Sequence, residues 1–117
     1  MIYAIPPVAK PRMTQSDKWK KRPATEKYWT FCDTIRAHKV KFEPGDHVIF
    51  HIEMPDSWSG KKKRIMAGTP HMQTPDLDNL VKALGDAIYK NDCLLWTYRA
   101  TKLWSVTGKI EIISMEL

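Results

Sequence analysis

The residues best suited to do chemistry in this sequence form an acidic cluster in its second half. Asp76 and Asp78 are separated by one residue, and Lys82 and Asp86 follow at intervals of four. An extended chain here would point Asp76 and Asp78 to the same side, with their carboxylates about 7 Å apart along the backbone. Such a pair could share one hard cation or bracket two, because Mg²⁺ and Mn²⁺ favour oxygen ligands. Asp92, just past a predicted helix, is the best candidate for a third carboxylate.

A cation held by these acids would suit phosphoryl-transfer chemistry. It would polarise a phosphate and activate water, while a lysine could balance the charge that builds in the transition state. Lys82 fits that role because it shares one helical stripe with Asp78 and Asp86. A purely structural interpretation also fits, with Asp78 as a helix N-cap, Asp76 as a turn residue, and Lys82 paired with Asp86 on the surface. Spacing alone leaves both interpretations open.

The elements that must position these residues follow the order β-α-β-α-β-β. A single sheet with helices covering one face is the economical way to bury their apolar stripes. The last two strands flank Thr107-Gly108, which predicts a hairpin. A long loop is expected at residues 56–75, and loops of that length in small domains are often functional. The predicted strands are 2–5, 46–54, 94–106 and 109–115, and the predicted helices are 25–39 and 78–90.

Length and composition indicate one globular domain spanning residues 1–117. No apolar run approaches the roughly 20 residues that cross a bilayer, and no secretory or transit segment is recognisable, so we expect a cytoplasmic protein. The two cysteines, Cys32 and Cys93, cannot make a disulfide framework or a Cys-rich zinc site, and we expect small buried thiols.

The positive charge is concentrated before the acidic cluster. Residues 1–75 hold 14 basic and 7 acidic side chains, whereas residues 76–117 hold 5 and 6. This asymmetry suggests a polyanionic partner, although a basic surface can also serve only solubility. Two segments carry 10 of the 19 basic residues and are the candidate phosphate contacts, namely Lys10, Arg12, Lys18, Lys20, Lys21, Arg22, Lys61, Lys62, Lys63 and Arg64.

Aromatic and histidine side chains leave several alternatives open. Trp19 and Trp58 adjoin the basic segments and could either stack on an unpaired base or pack on the core. Three further aromatics alternate along the predicted strand 94–106 and suggest core or a dimer interface: Trp96, Tyr98 and Trp104. His47 and His51 could share a strand face without suitable zinc partners, and His71 could contact a phosphate or support the acids.

The string from Asp76 to Ala87, followed by an acid at Asp92, resembles the motif of the RusA family of Holliday junction resolvases. In this chain it reads Asp-x-Asp-Asn-Leu-x-Lys-Ala-x-x-Asp-Ala. The similarity covers essentially the whole chain, including the Lys10-Pro11-Arg12 segment and the Met54-Pro55-Asp56 strand end. The family comprises small endonucleases of bacteria and phages. The resemblance implies an α+β fold, a mixed sheet packed against two helices, and a homodimer.

The same resemblance implies roles for individual residues. Asp76, Asp78 and Asp92 would be the metal-binding catalytic acids, Lys82 would lie near the scissile phosphate, and Asn79 and Asp86 would be supporting residues. The cofactor would be Mg²⁺, with Mn²⁺ as an alternative, and the substrate a four-way junction or other branched DNA, cut by paired nicks during recombination and repair. The chain has Asn91 where the family usually has a first acid of a pair, so Asp86 is the alternative third ligand.

Two other functions remain open from the sequence. One is a metal-dependent nuclease acting on flaps or other branched DNA. The other is a non-catalytic DNA-binding or phage structural module, in which the acids are only caps and turns. No membrane partner is expected.

Overall fold

A computed structural model describes residues 1–12 and 23–115, apart from the side chain of Asp92. The basic residues Lys18, Lys20, Lys21 and Arg22, together with Trp19, lie outside the described residues. The elements are strands β1 (Ile2–Tyr3), β2 (His47–Glu53), β3 (Arg99–Ser105) and β4 (Lys109–Ile113), and helices α1 (Pro23–Ala37), α2 (Gly60–Met66) and α3 (Leu77–Ile88). The fold is therefore α+β, and none of these helices is long and apolar enough to cross a membrane.

The four strands form one mixed sheet in the order β1-β4-β2-β3. β2 and β3 are parallel, whereas β4 lies antiparallel between β1 and β2. The predicted hairpin between the last two strands is therefore wrong. β4 instead places Ile110 opposite Phe50 and Ile112 opposite Val48, and all four side chains are buried. The free energy gained by burying these apolar pairs in the middle of the sheet outweighs the local preference of Thr107-Gly108 for a hairpin.

The connection from β3 to β4 passes close to the start of the chain. A Cβ atom added to Gly108 would lie 3.1 Å from Pro6 Cβ and 3.2 Å from Pro6 Cα. Glycine at this position lets the two backbones approach, as the absence of a side chain permits. This approach helps bring β4 between β1 and β2.

Helices α1 and α3 cover one face of the sheet and close the core. The predicted stripe of α1 is buried at Tyr28, Cys32 and Ile35, with Phe31 beside it. α3 buries the expected Leu80, Leu84 and Ala87, together with three further residues, Val81, Ala83 and Gly85. The 3.6-residue period therefore located both helices to within about two residues.

The expected loop at 56–75 contains a third helix, α2. Ser59 is its N-cap, and the Ser59 hydroxyl accepts a hydrogen bond from the Lys62 amide at 3.1 Å. After α2, residues 68–71 run along the outer edge of β3. The prediction of a structureless segment is therefore wrong, because the N-cap and the strand edge satisfy backbone groups that a free loop would expose.

The strand predicted at 94–106 is shorter than expected. β3 begins only at Arg99, so Trp96 and Tyr98 precede it, while Trp104 is the one of the three that lies in the core. Trp96 is 79% exposed, and Tyr98 makes an edge contact with Phe42. Only Cys32 is a buried thiol, because Cys93 is exposed in the turn that follows α3. The predicted alternation of Trp96, Tyr98 and Trp104 along one face of a single strand is therefore wrong, because only Trp104 lies in β3.

Candidate active site

The start of α3 carries two of the predicted acids. Asp76 occupies the N-cap position with an extended backbone, and Asp78 lies in the first helical turn. The helix therefore begins one residue earlier than predicted, and the extended path assumed for both acids ends at Asp76. The Asp76 side chain makes no capping hydrogen bond to the helix. The structural interpretation that made Asp78 the N-cap is therefore wrong, because the N-cap position is Asp76, whose carboxylate makes no capping bond.

The orientation of α3 favours negative charge at this end. Aligned peptide dipoles give a helix N-terminus a partial positive charge, and its first amides have no partner within the helix. Asp76 and Asp78 both lie at that end and are exposed to solvent. Two carboxylates supported in this way are a suitable start for binding a hard cation, which prefers oxygen ligands.

Lys82 lies one turn beyond Asp78 on the same face of α3. Its ammonium nitrogen is 3.8 Å from Asp78 Oδ2, and both side chains are more than half exposed. An exposed pair with i,i+4 spacing contributes only about 0.3–0.5 kcal/mol. Lys82 is therefore held loosely, and the interaction leaves it able to turn toward a phosphate near the acids.

Asp86 has a different environment from the other acids of the motif. Its Oδ2 atom accepts a hydrogen bond from the Tyr28 hydroxyl at 2.9 Å and lies 2.6 Å from Lys10 Nζ. Burial and the hydrogen bond to Asp86 raise the pKa of Tyr28, so its hydroxyl remains a donor. Eight residues of helix separate Asp86 from Asp78 by about 12 Å along the axis. Asp86 is therefore an anchor within the fold and is poorly placed to share a cation with Asp78.

Lys10 joins the N-terminal segment to α3 at two points. Besides the ion pair of its side chain, its backbone amide donates to the carbonyl oxygen of Asn79 at 3.0 Å. Arg36 of α1 supports the opposite end of α3, where its Nε donates to the Ala87 carbonyl at 2.9 Å. These contacts fix α3 between the start of the chain and α1, while the supporting roles of Asn79 and Asp86 stay predictions.

The third predicted acid lies just beyond α3. Residues Asp92–Leu94 form a short 3₁₀ helix, but the side chain of Asp92 is outside the described part of the chain. Among the described residues, no three His, Cys, Asp or Glu side chains converge to hold a metal ion. The convergence of Asp92 with Asp76 and Asp78 therefore stays a prediction.

Lys102 is a residue of this region that the sequence interpretation missed. It lies on β3, and its ammonium donates to the carbonyl oxygens of Gln73 at 2.5 Å and Pro75 at 2.7 Å. Pro75 directly precedes Asp76, so Lys102 connects the sheet to the start of the acidic cluster. A single lysine in an alternating strand gives no sequence signal for such a role, since the contact depends on the path of a distant segment.

His71 lies just before the same segment and is buried. It is 3% exposed, its ring lies 4.3 Å from that of Trp104, and its Nδ1 atom has no hydrogen-bond partner among the described residues. Burial and the positive charge of Lys102 lower the pKa of His71. A neutral, buried imidazole is not available for the phosphate contact that the sequence left open. His71 instead packs against Trp104 at the edge of the sheet.

The candidate DNA-contacting residues fall into three groups. Lys61, Lys62, Lys63 and Arg64 all lie on α2, and Lys62 Nζ sits 4.1 Å from the centre of the Trp58 ring. Trp58 packs against Trp104 at 4.7 Å, which supports the core alternative over base stacking. In the N-terminal segment, Lys10 is paired with Asp86, and Arg12 makes an interaction of its own. The third group, residues 18–22, lies outside the described residues.

The face of the sheet opposite the helices carries the other two candidate histidines. His47 hydrogen-bonds to Thr101 Oγ1 at 2.9 Å, and His51 Nε2 lies 3.0 Å from Glu111 Oε1. Both residues lie on β2 and project to the same side, as their spacing predicted. Each histidine has a partner on a neighbouring strand, which indicates a structural role in cross-strand contacts.

These observations define an α+β domain with an acidic, uncapped helix start and basic residues on separate elements. A family model described as Endodeoxyribonuclease RusA matches residues 4–113 of the 117-residue chain. The chain therefore belongs to the RusA endodeoxyribonuclease family, which implies the nuclease activity of a Holliday junction resolvase. Nucleases of this type are generally dependent on a divalent metal. A search of curated proteins found no match.

Proposed function

We propose that this chain is a Mg²⁺-dependent crossover junction endonuclease, with Mn²⁺ as an alternative cofactor, that acts as a homodimer in DNA recombination and repair. The observation that carries the proposal is the pair of carboxylates at the start of α3. By resemblance, Asp76 and Asp78 match the acidic motif of the nuclease family whose model covers residues 4–113. The Asp76 side chain makes no capping hydrogen bond, which leaves its carboxylate available. Oxygen ligands on a rigid helix start suit a hard divalent cation.

Three acids would hold the cation in this proposal: Asp76, Asp78 and Asp92. The bound cation would supply Lewis-acid polarisation of the phosphodiester and a more acidic water. Lys82 would stabilise the negative charge that develops on the phosphate oxygens, and its weak exposed pairing with Asp78 leaves it mobile enough for this task. Hydrolysis forms a bond from water oxygen to phosphorus and breaks the bond to the leaving strand oxygen.

The basic side chains would bind the negatively charged arms of the junction. Lys61 and Arg64 lie one turn apart on α2 and are exposed, so they are suited to phosphate contacts. Most of the affinity of such contacts comes from release of counterions, so binding should weaken steeply with salt. A dimer with two-fold symmetry would present two equivalent sites to opposed strands, which accounts for paired nicks.

The decisive experiment compares substrates and variants together. Wild-type protein and the Asp76→Asn variant are incubated with synthetic four-way junctions, flaps and linear duplex in Mg²⁺. We expect junction cleavage by the wild type and loss of cleavage, with retained junction binding, in Asp76→Asn. Asp33→Asn is the matched control, because Asp33 is an exposed aspartate on α1 that forms only a loose pair with Arg36 at 3.7 Å among the described residues.

Each alternative function predicts a different result. Preferential cutting of flaps would favour a nuclease with another branched target. Absence of cleavage on every substrate would leave only a DNA-binding module, and cleavage by Asp76→Asn would refute the assignment of the site. Sedimentation of the protein with and without junction DNA tests the homodimer, and a single monomeric species in both conditions would contradict it.

A further inference from the structure

The segment that precedes the acidic cluster is attached to β3 along its first half. The Gly68 amide donates to the Trp104 carbonyl at 2.8 Å, and the Trp104 amide donates to the Thr69 carbonyl at 2.9 Å. The His71 amide then donates to the Lys102 carbonyl at 3.1 Å. Residues 68–71 therefore continue the sheet as an additional edge, and their position is fixed by backbone contacts.

This backbone attachment ends before the acids begin. Among the described residues, 72–75 make no backbone–backbone hydrogen bond, and Met72 is 85% exposed. The contact that replaces the sheet ladder is the Lys102 ammonium, which binds the carbonyls of Gln73 and Pro75 together. The lysine therefore holds the backbone on both sides of Thr74, directly before Asp76.

The geometry of β3 explains how a lysine reaches this position. Lys102 is paired in register with Phe50, so its side chain leaves the sheet on the face that the helices cover. The apolar stem can pack there while the ammonium reaches the edge, as lysine side chains commonly do. Two carbonyl partners satisfy two of its three donors and fix its direction.

We infer that Lys102 is a positioning residue for the metal site, which it serves by clamping the backbone immediately before Asp76. This inference rests on the proposed function, in which Asp76 binds the cation. Lys102 touches neither substrate nor metal in this account. It acts through the Gln73 and Pro75 carbonyls, as groups behind a metal ligand generally do when they orient it.

A purely electrostatic role for Lys102 predicts the opposite change in metal affinity when the lysine is removed. Removing a positive charge near two carboxylates lowers the repulsion of an incoming cation, so metal binding would become tighter. Removing a clamp releases the ligand and makes binding weaker. A change that only destabilised the fold would reduce the fraction of protein that binds, without changing the affinity of the folded molecules.

The test measures metal affinity directly on the full chain. Mn²⁺ binding is followed by the electron paramagnetic resonance signal of free Mn²⁺, and the Mg²⁺ concentration for half-maximal junction cleavage is measured in parallel. We expect Lys102→Met to weaken metal binding about 10-fold, the lower end of the range for groups that orient metal ligands. Lys102→Arg, which keeps the charge and the donors, should recover most of that loss.

Lys109→Met is the matched control. Lys109 lies on β4 and pairs with His51, so it leaves the opposite face of the same sheet. Its removal should leave metal affinity unchanged. Unchanged or tighter metal binding in Lys102→Met would overturn the inference while the proposed function stands. A wild-type protein that neither binds Mn²⁺ nor cleaves junctions would overturn the proposed function, and the inference with it.

Discussion

Lys10 Nζ lies 2.6 Å from Asp86 Oδ2, and this contact joins the N-terminal segment to the helix that carries the candidate site. The Tyr28 hydroxyl donates to the same carboxylate oxygen, so one acid connects three parts of the chain. Because the Asp86 side chain is partly buried, its interactions with Lys10 and Tyr28 are screened less by salt than those of a surface pair. Asp86 therefore connects parts of the fold, whereas in the proposed function Asp76 and Asp78 bind the cation.

The role of Asp86 leads to a prediction about stability. Asp86→Asn should lower the free energy of unfolding by about 1–2 kcal/mol, because a charged hydrogen-bond partner of Lys10 and Tyr28 is replaced by a neutral one. The affinity of the folded protein for Mn²⁺ should remain within about two-fold, since we place Asp86 outside the ligand set. Urea unfolding and Mn²⁺ titration measure the two quantities. A large loss of Mn²⁺ affinity without loss of stability would instead make Asp86 a ligand.

Asp76 should behave in the opposite way. Its side chain makes no capping hydrogen bond, so Asp76→Ala should change the free energy of unfolding by less than about 0.5 kcal/mol, below the typical ~1 kcal/mol for losing a functional cap. Junction cleavage should nevertheless fall by about 10²–10³-fold, the range for losing one group that stabilises the transition state, if the carboxylate binds the catalytic cation. Thermal unfolding and single-turnover cleavage provide the comparison. Strong destabilisation with cleavage retained would restore the structural interpretation of this acid.

His71 predicts a pH dependence of stability. Burial, followed by the charge of Lys102, lowers its pKa in the folded protein, so the unfolded chain binds the proton more readily. The contribution of neutral His71 to the free energy of unfolding is complete above its unfolded pKa of about 6.5. It is lost as the pH falls through the lower folded pKa. The melting temperature of the wild type should therefore drop between pH 7.5 and 5.5 by more than that of His71→Phe. An equal change of melting temperature with pH in the two proteins would contradict a lowered pKa of His71.

The exposed basic residues of α2 can be tested by the salt dependence of DNA binding. Lys61→Ala and Arg64→Ala should each reduce the slope of log affinity against log salt concentration by about 1, if each residue contacts one phosphate. Lys41→Ala provides the control, because Lys41 is an exposed lysine outside the basic segments. Fluorescence anisotropy with labelled junction DNA measures the slopes. Identical slopes for all four proteins would remove α2 from the DNA interface.

Local patterns predicted the elements that bury an apolar stripe. The Tyr28, Cys32 and Ile35 stripe located α1, and the alternation of Val48 and Phe50 located β2, because in both cases the period of burial is written in consecutive residues. The pattern also placed the start of α3 within one residue, although the extended backbone assumed for both acids ends at Asp76. Both predictions depended only on neighbouring residues.

The parts that the sequence did not predict depend on distant contacts. Thr107-Gly108 has the composition of a hairpin turn, yet β4 pairs with β2 and β1 because Ile110 and Ile112 are buried there. The helix α2 is an exception, because it lies within a run of lysines and the local N-cap signal of Ser59 could have located it. Lys102 could not be found at all, since its partners lie about 30 residues earlier in the chain.

The parallel pairing of β2 with β3 has a consequence for how the site forms during folding. The two strands are adjacent in the sheet, but the chain between them contains α2, residues 68–71 at the sheet edge and the whole of α3. Pairing of these strands therefore closes a loop of more than 40 residues that contains the acidic cluster. The entropy of closing this loop is lost before the strand contacts can offset it. The proposed metal site and the centre of the sheet should consequently form in the same cooperative kinetic step, and a folding intermediate that lacks β3 should have no metal affinity.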